Sequence, residues 1–141
     1  MKKTILILAL FIGGKIFSQN ADAVVGTWLT TAGKAQVQIY KENGKYSGKI
    51  IWLKEPNYAD GTPKVNKNSP DASQRKNPVV GLVMLKGFLF VEDHWQDGTI
   101  YDPENGKTYS CKMTLNGNNL DVRGFIGFSL LGRTETWTKL K

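Results

Sequence analysis

The chain has 141 residues, 40% hydrophobic and 22% charged, with 19 Lys and Arg against 12 Asp and Glu for a net charge of +7. Its single Cys and single His exclude an internal disulfide, a CxxC redox centre and a Cys/His zinc cluster. No metal ligand set, cofactor or catalytic residue is therefore expected.

The N-terminus lowers that charge. Lys2 and Lys3 form a short basic start, residues 4–14 are uncharged and mostly apolar, and Lys15 is followed by Ser18, Gln19 and Asn20. This is the layout of a cleavable secretory signal peptide. The apolar run falls short of the roughly 20 residues of a membrane span, so none is expected. Cleavage is expected between residues 17 and 21, giving a signal at 1–19, one domain at 20–141 and a periplasmic or secreted location. Without Lys2, Lys3 and Lys15 the balance is 16 bases against 12 acids, +4. Those bases are scattered rather than gathered in a stripe, which argues against nucleic acid as a partner. An exported domain without a disulfide must be held by its core alone, and this one is long enough to build it.

The mature chain reads as strand after strand. Residues 24–31 are rich in β-branched and aromatic side chains. In residues 34–40, Ala35, Val37 and Ile39 alternate with Lys34, Gln36 and Gln38, the period of a half-buried strand. Asn43-Gly44 predicts a hairpin into residues 46–53. Residues 55–77, with Pro56, Pro63 and Pro70, show no apolar period; so long a segment reads as a functional lid or a mobile loop. The apolar run 79–85 is taken as a buried strand, although a short helix fits it too. Residues 88–95 continue it, Gln96-Asp97-Gly98 reads as a turn, and residues 102–106 turn again. In residues 107–115, Tyr109, Cys111, Met113 and Leu115 share one face. Asn116-Gly117 predicts a hairpin into residues 119–124, and residues 133–140 make the last strand. About eight short strands joined mostly by hairpins predict an all-β fold, a small antiparallel up-and-down barrel.

Two resemblances follow. Gly26-Thr27-Trp28 on the first strand, with Arg133 and Trp137 on the last, resembles the calycin superfamily of lipocalins and fatty-acid-binding proteins. That likeness implies a Trp plugging the closed barrel end, with an Arg or Lys from the final strand meeting it. The strings at residues 98–109, 120–127 and 132–137, with Val25-Gly26-Thr27-Trp28 and residues 77–82, resemble the exported bacterial domain of unknown function catalogued as number twenty-one forty-seven. It implies a calycin-like barrel in the periplasm and brings no chemistry.

The remaining clusters read as follows. Asp102-Pro103-Glu104-Asn105-Gly106 lacks the alternating ligands of a calcium loop and is turn chemistry. His94, beside Glu92 and Asp93, has no nucleophile to serve, so a surface or packing role is expected. Cys111 on an apolar face is core. The aromatics admit two readings, a barrel filled by its own side chains or a cavity lined by them. In the second, Trp52, Trp95, Tyr101, Tyr109, Arg123, Phe125 and Phe128 are the candidate cavity or portal residues, with Arg123 facing a ligand carboxylate. The apolar, glycine-punctuated residues 124–132 suit a portal, a contact surface or a cover across a barrel end, and a lid made of this segment and residues 55–77 is the expected functional element. The function expected is a periplasmic carrier of a small hydrophobic or amphipathic molecule; the alternative is an envelope interaction or stress-tolerance domain with a filled barrel. Oligomeric state is not readable from the sequence.

Overall fold

The computed structural model describes residues 20–128 and 130–141; the expected signal segment, residues 1–19, and its cleavage point lie almost wholly outside them. Eight antiparallel strands close into one up-and-down barrel: β1 (Gly26–Leu29), β2 (Ala35–Glu42), β3 (Lys45–Leu53), β4 (Val83–Val91), β5 (His94–Asp102), β6 (Lys107–Asn116), β7 (Asn119–Phe125) and β8 (Gly132–Lys139). Each strand pairs with the next, and β8 returns to β1.

The alternation that predicts β2 and β6 is what fills the interior. Val37 and Ile39 on β2, Cys111 and Met113 on β6, and Leu120 and Val122 on β7 are buried, while their polar neighbours face water. Trp28, Trp95, Trp137, Tyr46, Phe88 and Leu85 complete this core. Two glycines measure how full it is. A Cβ on Gly98 would lie 2.5 Å from Phe88 ring carbons, and one on Gly48 would lie 3.0 Å from Leu85 and 3.1 Å from Val37. Both positions are occupied by a neighbour's side chain.

Three local expectations change. The first strand is shorter than residues 24–31, because Ala21–Val24 forms a 3-10 helix; Asn20 caps it, its side chain accepting from the Asp22 N–H at 3.0 Å. The run 79–85 does not begin as a strand: Gly81 (φ 101°) turns the chain, and β4 starts at Val83. Gln96-Asp97-Gly98 is not a turn between strands but a bulge inside β5, where Asp97 is left-handed (φ 62°) and the pairing with β6 skips from Trp95 to Gly98. The hairpin lies earlier, at Glu92 and Asp93, with Glu92 at φ 59°.

The long β3–β4 connection is an ordered strap. It folds on itself through the Asn57↔Pro63 and Val65↔Pro78 bridges. The Tyr58 hydroxyl accepts from the Val65 N–H at 3.1 Å, and Arg75 Nε donates to the Ser69 carbonyl at 2.8 Å. Leu85 and Ile100 pair on the inner face, so Met84, Lys86, Thr99 and Tyr101 face outward, and the strap lies over them. Asn66 is buried there and accepts from the Tyr101 hydroxyl at 2.6 Å, while Asn68 Nδ2 donates to the Pro103 and Glu104 carbonyls at 3.1 and 2.9 Å. Gly106 permits this approach, since a Cβ there would collide with the Asn68 carbonyl oxygen.

Candidate functional site

The two barrel ends differ. At one, the 3-10 helix Ala21–Val24 is a floor pinned by the core aromatics: Trp28 Nε1 donates to the Val24 carbonyl at 2.9 Å and Trp95 Nε1 to the Ala21 carbonyl at 3.0 Å. The Tyr46 hydroxyl donates to the Asp22 carboxylate, which also lies 3.5 Å from Lys41 Nζ. Buried indole and phenol groups need such partners. Burial, with Asp22 beside it, pushes the Tyr46 hydroxyl up to about 12, and the bond from Tyr46 holds Asp22 below its ordinary value. Lys139 Nζ sits 5.6 Å from the centre of the Trp28 ring. The cation that meets the first-strand Trp is therefore Lys139; Arg133 lies at the far end of β8, paired with Glu135.

At the other end the interior opens. Inward-facing positions follow from register: Ile100 opposite Tyr109, Gly124 opposite Cys111 and Arg133, and Val122 opposite Glu135. Below this level the inward side chains are buried, whereas Ile100, Tyr109 and Glu135 are only half-buried and Arg133 is exposed. A shallow cup thus stands on a solid floor. A Cβ on Gly124 would be 3.3 Å from Ile100 Cγ2, so the Ile100 side chain packs over Gly124 and closes the base of the cup there. Arg133 and Glu135 place an ion pair on its wall. At its rim the β7–β8 connection exposes four large apolar side chains, Ile126, Phe128, Leu130 and Leu131, between 69 and 88% accessible.

The seven sequence-selected residues do not gather in one place. Tyr109 faces the cup, accepting from Asn105 Nδ2 at 3.1 Å, and Phe128 stands on the rim. Trp95 is in the floor, packed on Phe90 with ring centres 4.9 Å apart. Tyr101 points outward under the strap. Trp52, opposite Gln36, is on the outer face and 41% exposed. Phe125 and Arg123 are also on the outer face of β7, where Arg123 donates to Thr134 Oγ1 at 3.0 Å. The strap's bonds run to the outer wall and to the β5–β6 turn and, among the described residues, none reaches the β7–β8 connection, so the two do not form a common lid.

Other chemistry is sparse. His94 faces outward, with Nδ1 at 3.0 Å from Asp93 and Nε2 at 2.6 Å from Gln96, and these bonds raise its pKa. Burial pushes the Cys111 thiol up to about 12, so it is not a nucleophile near neutral pH. Among the described residues no group of three or more His, Cys, Asp and Glu side chains could hold a metal ion, and no helix is long and apolar enough to cross a membrane. Two concavities, of about 390 and 310 Å³, flank the strap outside the barrel. Sequence reasoning missed the floor helix, the Lys139 contact and the Arg133–Glu135 pair. Asn20 followed by Asp22 in a first turn was the available signal for the first.

The comparisons with known proteins agree with this barrel. Among solved structures, protein HP1028 from the human pathogen Helicobacter pylori, which belongs to the lipocalin family, superposes with a TM-score of 0.72 at 25% identity, over 83% of this chain and 82% of its own. A search of curated proteins found no match. A family model described as an uncharacterized protein conserved in bacteria (DUF2147) matches residues 26–139, from β1 to the end of β8. The chain belongs to that family, and it builds the family's sequence as a closed, lipocalin-like barrel of the kind suited to small ligands.

Proposed function

We propose that the protein is an exported binding protein that holds a small amphipathic molecule in the cup at the open barrel end. The observation that carries this is the contrast along the barrel axis: a solid, bonded floor below, and above it a half-buried cup rimmed by Ile126, Phe128, Leu130 and Leu131. Exposed apolar clusters of this size mark contact sites, and this one borders the polar Arg133–Glu135 pair. An apolar rim beside a charged wall suits a ligand with an apolar body and a polar head. The basic start and apolar run of residues 2–14 support export to the periplasm or beyond.

The test is native mass spectrometry of protein recovered from the periplasm, followed by titration of the delipidated protein with anilinonaphthalene sulfonate. Retained ligand, saturable dye uptake and a roughly tenfold weaker fit in Phe128→Ser are expected, since a large apolar contact is worth about 1.5–3 kcal/mol when fully covered. Protein that carries nothing and takes up no dye would end this reading. The filled floor favours a second one, a domain that works through its surface. Crosslinking in intact cells that captures a partner unaffected by Phe128→Ser and Tyr109→Ala would support it.

A further inference from the structure

Among the described residues, the N-terminal half of one β8 edge has no strand beside it. On one side β8 is paired along its whole length by β7, from Asn119↔Thr138 to Phe125↔Gly132. On the other, β1 meets it only at Trp28↔Lys139 and Leu29↔Thr138. β1 is four residues long, and the chain then turns away into the short 3-10 helix Thr31–Gly33. The direction of the peptide groups is fixed by bonds at either end. Lys139 N–H donates to the Asn118 carbonyl and Ile126 N–H to the Leu131 carbonyl, so the odd-numbered residues point at β7. Leu140 N–H donates to the Thr27 carbonyl and Thr31 Oγ1 to the Thr136 carbonyl at 3.2 Å, so the even-numbered residues point the other way. Gly132 and Thr134 therefore direct their N–H and C=O groups to a side where the described residues place no strand. Both are solvent-exposed. A free edge of this kind is a template for another strand.

We infer that a second copy of this chain occupies the edge, its β8 pairing antiparallel with this one about a two-fold axis through Thr134. Outward-pointing residues must face outward-pointing residues, which restricts the axis to a residue and not to a peptide bond. An axis at Arg133 would set Arg133 against itself, and one at Glu135 would set two carboxylates together. Only the axis at Thr134 puts Arg133 opposite Glu135 of the second copy, twice, with Thr134 facing Thr134; the ladder stops short of Thr136, whose carbonyl is taken by Thr31. Opposite charges facing each other across a ladder stabilise it and like charges weaken it. The register is thus chosen by the order Arg-Thr-Glu. It also joins the two intrachain Arg133–Glu135 pairs into one four-charge network.

A ladder centred on Thr134 and flanked by the Arg133–Glu135 pairs is too small by itself, since a stable dimer buries roughly 1,200–2,000 Å² in total. The rim supplies the remainder. Antiparallel pairing carries Leu130 and Leu131 of each copy past Thr136 of the other, toward its exposed Thr31 and Ala32. The exposed apolar side chains and the free ladder edge belong to one continuous stretch of chain, and one symmetric contact covers both.

Analytical ultracentrifugation of the exported chain across a wide concentration range tests this. A reversible dimer is expected. Arg133→Glu and Glu135→Arg each put four like charges at the axis and should weaken it by about tenfold or more. The double variant R133E/E135R restores the pairing and should restore the dimer. Thr134→Pro removes an N–H that points away from β7, so the β7 ladder stays intact while dimerisation is lost; Thr134→Lys serves as the second edge variant if circular dichroism shows the proline chain misfolded. A wild-type chain that stays monomeric overturns the inference, including one whose apolar rim instead binds phosphatidylglycerol vesicles. So does a dimer indifferent to both charge reversals and to the edge variants.

Discussion

Gly98→Ala tests whether the lower barrel is solid, on which the cup's depth depends. Gly98 faces inward on β5 opposite Cys111, and its φ is not in the left-handed region, so alanine meets no backbone strain there. The obstacle is Phe88, whose ring carbons would stand 2.5 Å and 2.6 Å from the new Cβ. Ordinary contact needs about 3.5–4.0 Å, so the ring must move by roughly 1 Å. Phe88 is fully buried within the Trp and Leu core, and a shift of that size is passed to its neighbours. Overpacking of this kind costs about 1–3 kcal/mol, or a melting temperature lower by roughly 4–15 °C for a domain of this size. Thermal and urea unfolding followed by Trp fluorescence would measure it. Phe88→Leu, destabilising alone through the space it empties, should make room for the added methyl, so that the double variant G98A/F88L loses less than the sum of the two single changes. Wild-type stability in Gly98→Ala would refute the reasoning, because it would mean that Phe88 has empty space to enter and that the barrel is hollow below the cup.

Trp95→Phe keeps most of the floor's apolar volume but leaves the Ala21 carbonyl without its indole donor, and should lose about 1–2 kcal/mol in urea unfolding. Cys111, buried with its thiol pushed up to about 12, should react with an aromatic disulfide reagent only as fast as the barrel opens, so its rate should rise with urea in parallel with unfolding. His94 is raised above its unfolded value by Asp93 and Gln96, so its contribution is fully present below about pH 6.5 and is lost as pH rises through the folded value. His94→Gln should shrink the difference in melting temperature between mildly acidic and mildly alkaline buffer. Asp22 runs the opposite way: its depressed pKa contributes above about pH 3.8 and is lost as acid protonates it, so Tyr46→Phe should reduce the acid sensitivity of unfolding.

The barrel was legible because its strongest signals are local. Asn43-Gly44 and Asn116-Gly117 mark true hairpins, and the alternation in β2 and β6 reports a buried face directly. The candidate site was harder to read, and β-bulges explain two of the misplacements. Counting by twos from Trp95 would send Tyr101 inward; the extra residue at Asp97 reverses the parity, so that Gly98 and Ile100 face in and Tyr101 faces the strap. The register shift between Gln36 and Val37 does the same on β3, where Ile50 is core and Trp52 is turned outward. A one-residue insertion leaves no mark in hydrophobic periodicity when the residues around it are aromatic or polar. The strap misled for a different reason: its order comes from bonds to distant residues, Asn66 to Tyr101 and Asn68 to the β5–β6 turn, which a local reading of Pro, Asn and Ser takes for looseness.

The solid floor limits what the cup can hold. From Cys111 to the start of β6 is four residues, about 14 Å of strand, which at the usual barrel tilt gives a height near 10 Å. A ligand of one or two rings would fit within that height, whereas a long acyl chain would project beyond it. Whatever projects meets the apolar side chains at Ile126, Phe128, Leu130 and Leu131, and these are also the side chains that the β8 pairing would cover. Pocket and pairing surface are thus adjacent parts of one element: the odd residues Arg133 and Glu135 line the cup, while the even residues Gly132 and Thr134 offer the edge. A second copy docked there would extend the cup wall by a strand and bring the two rims toward each other, so ligand occupancy and dimerisation would be linked through β8 without any movement of the floor.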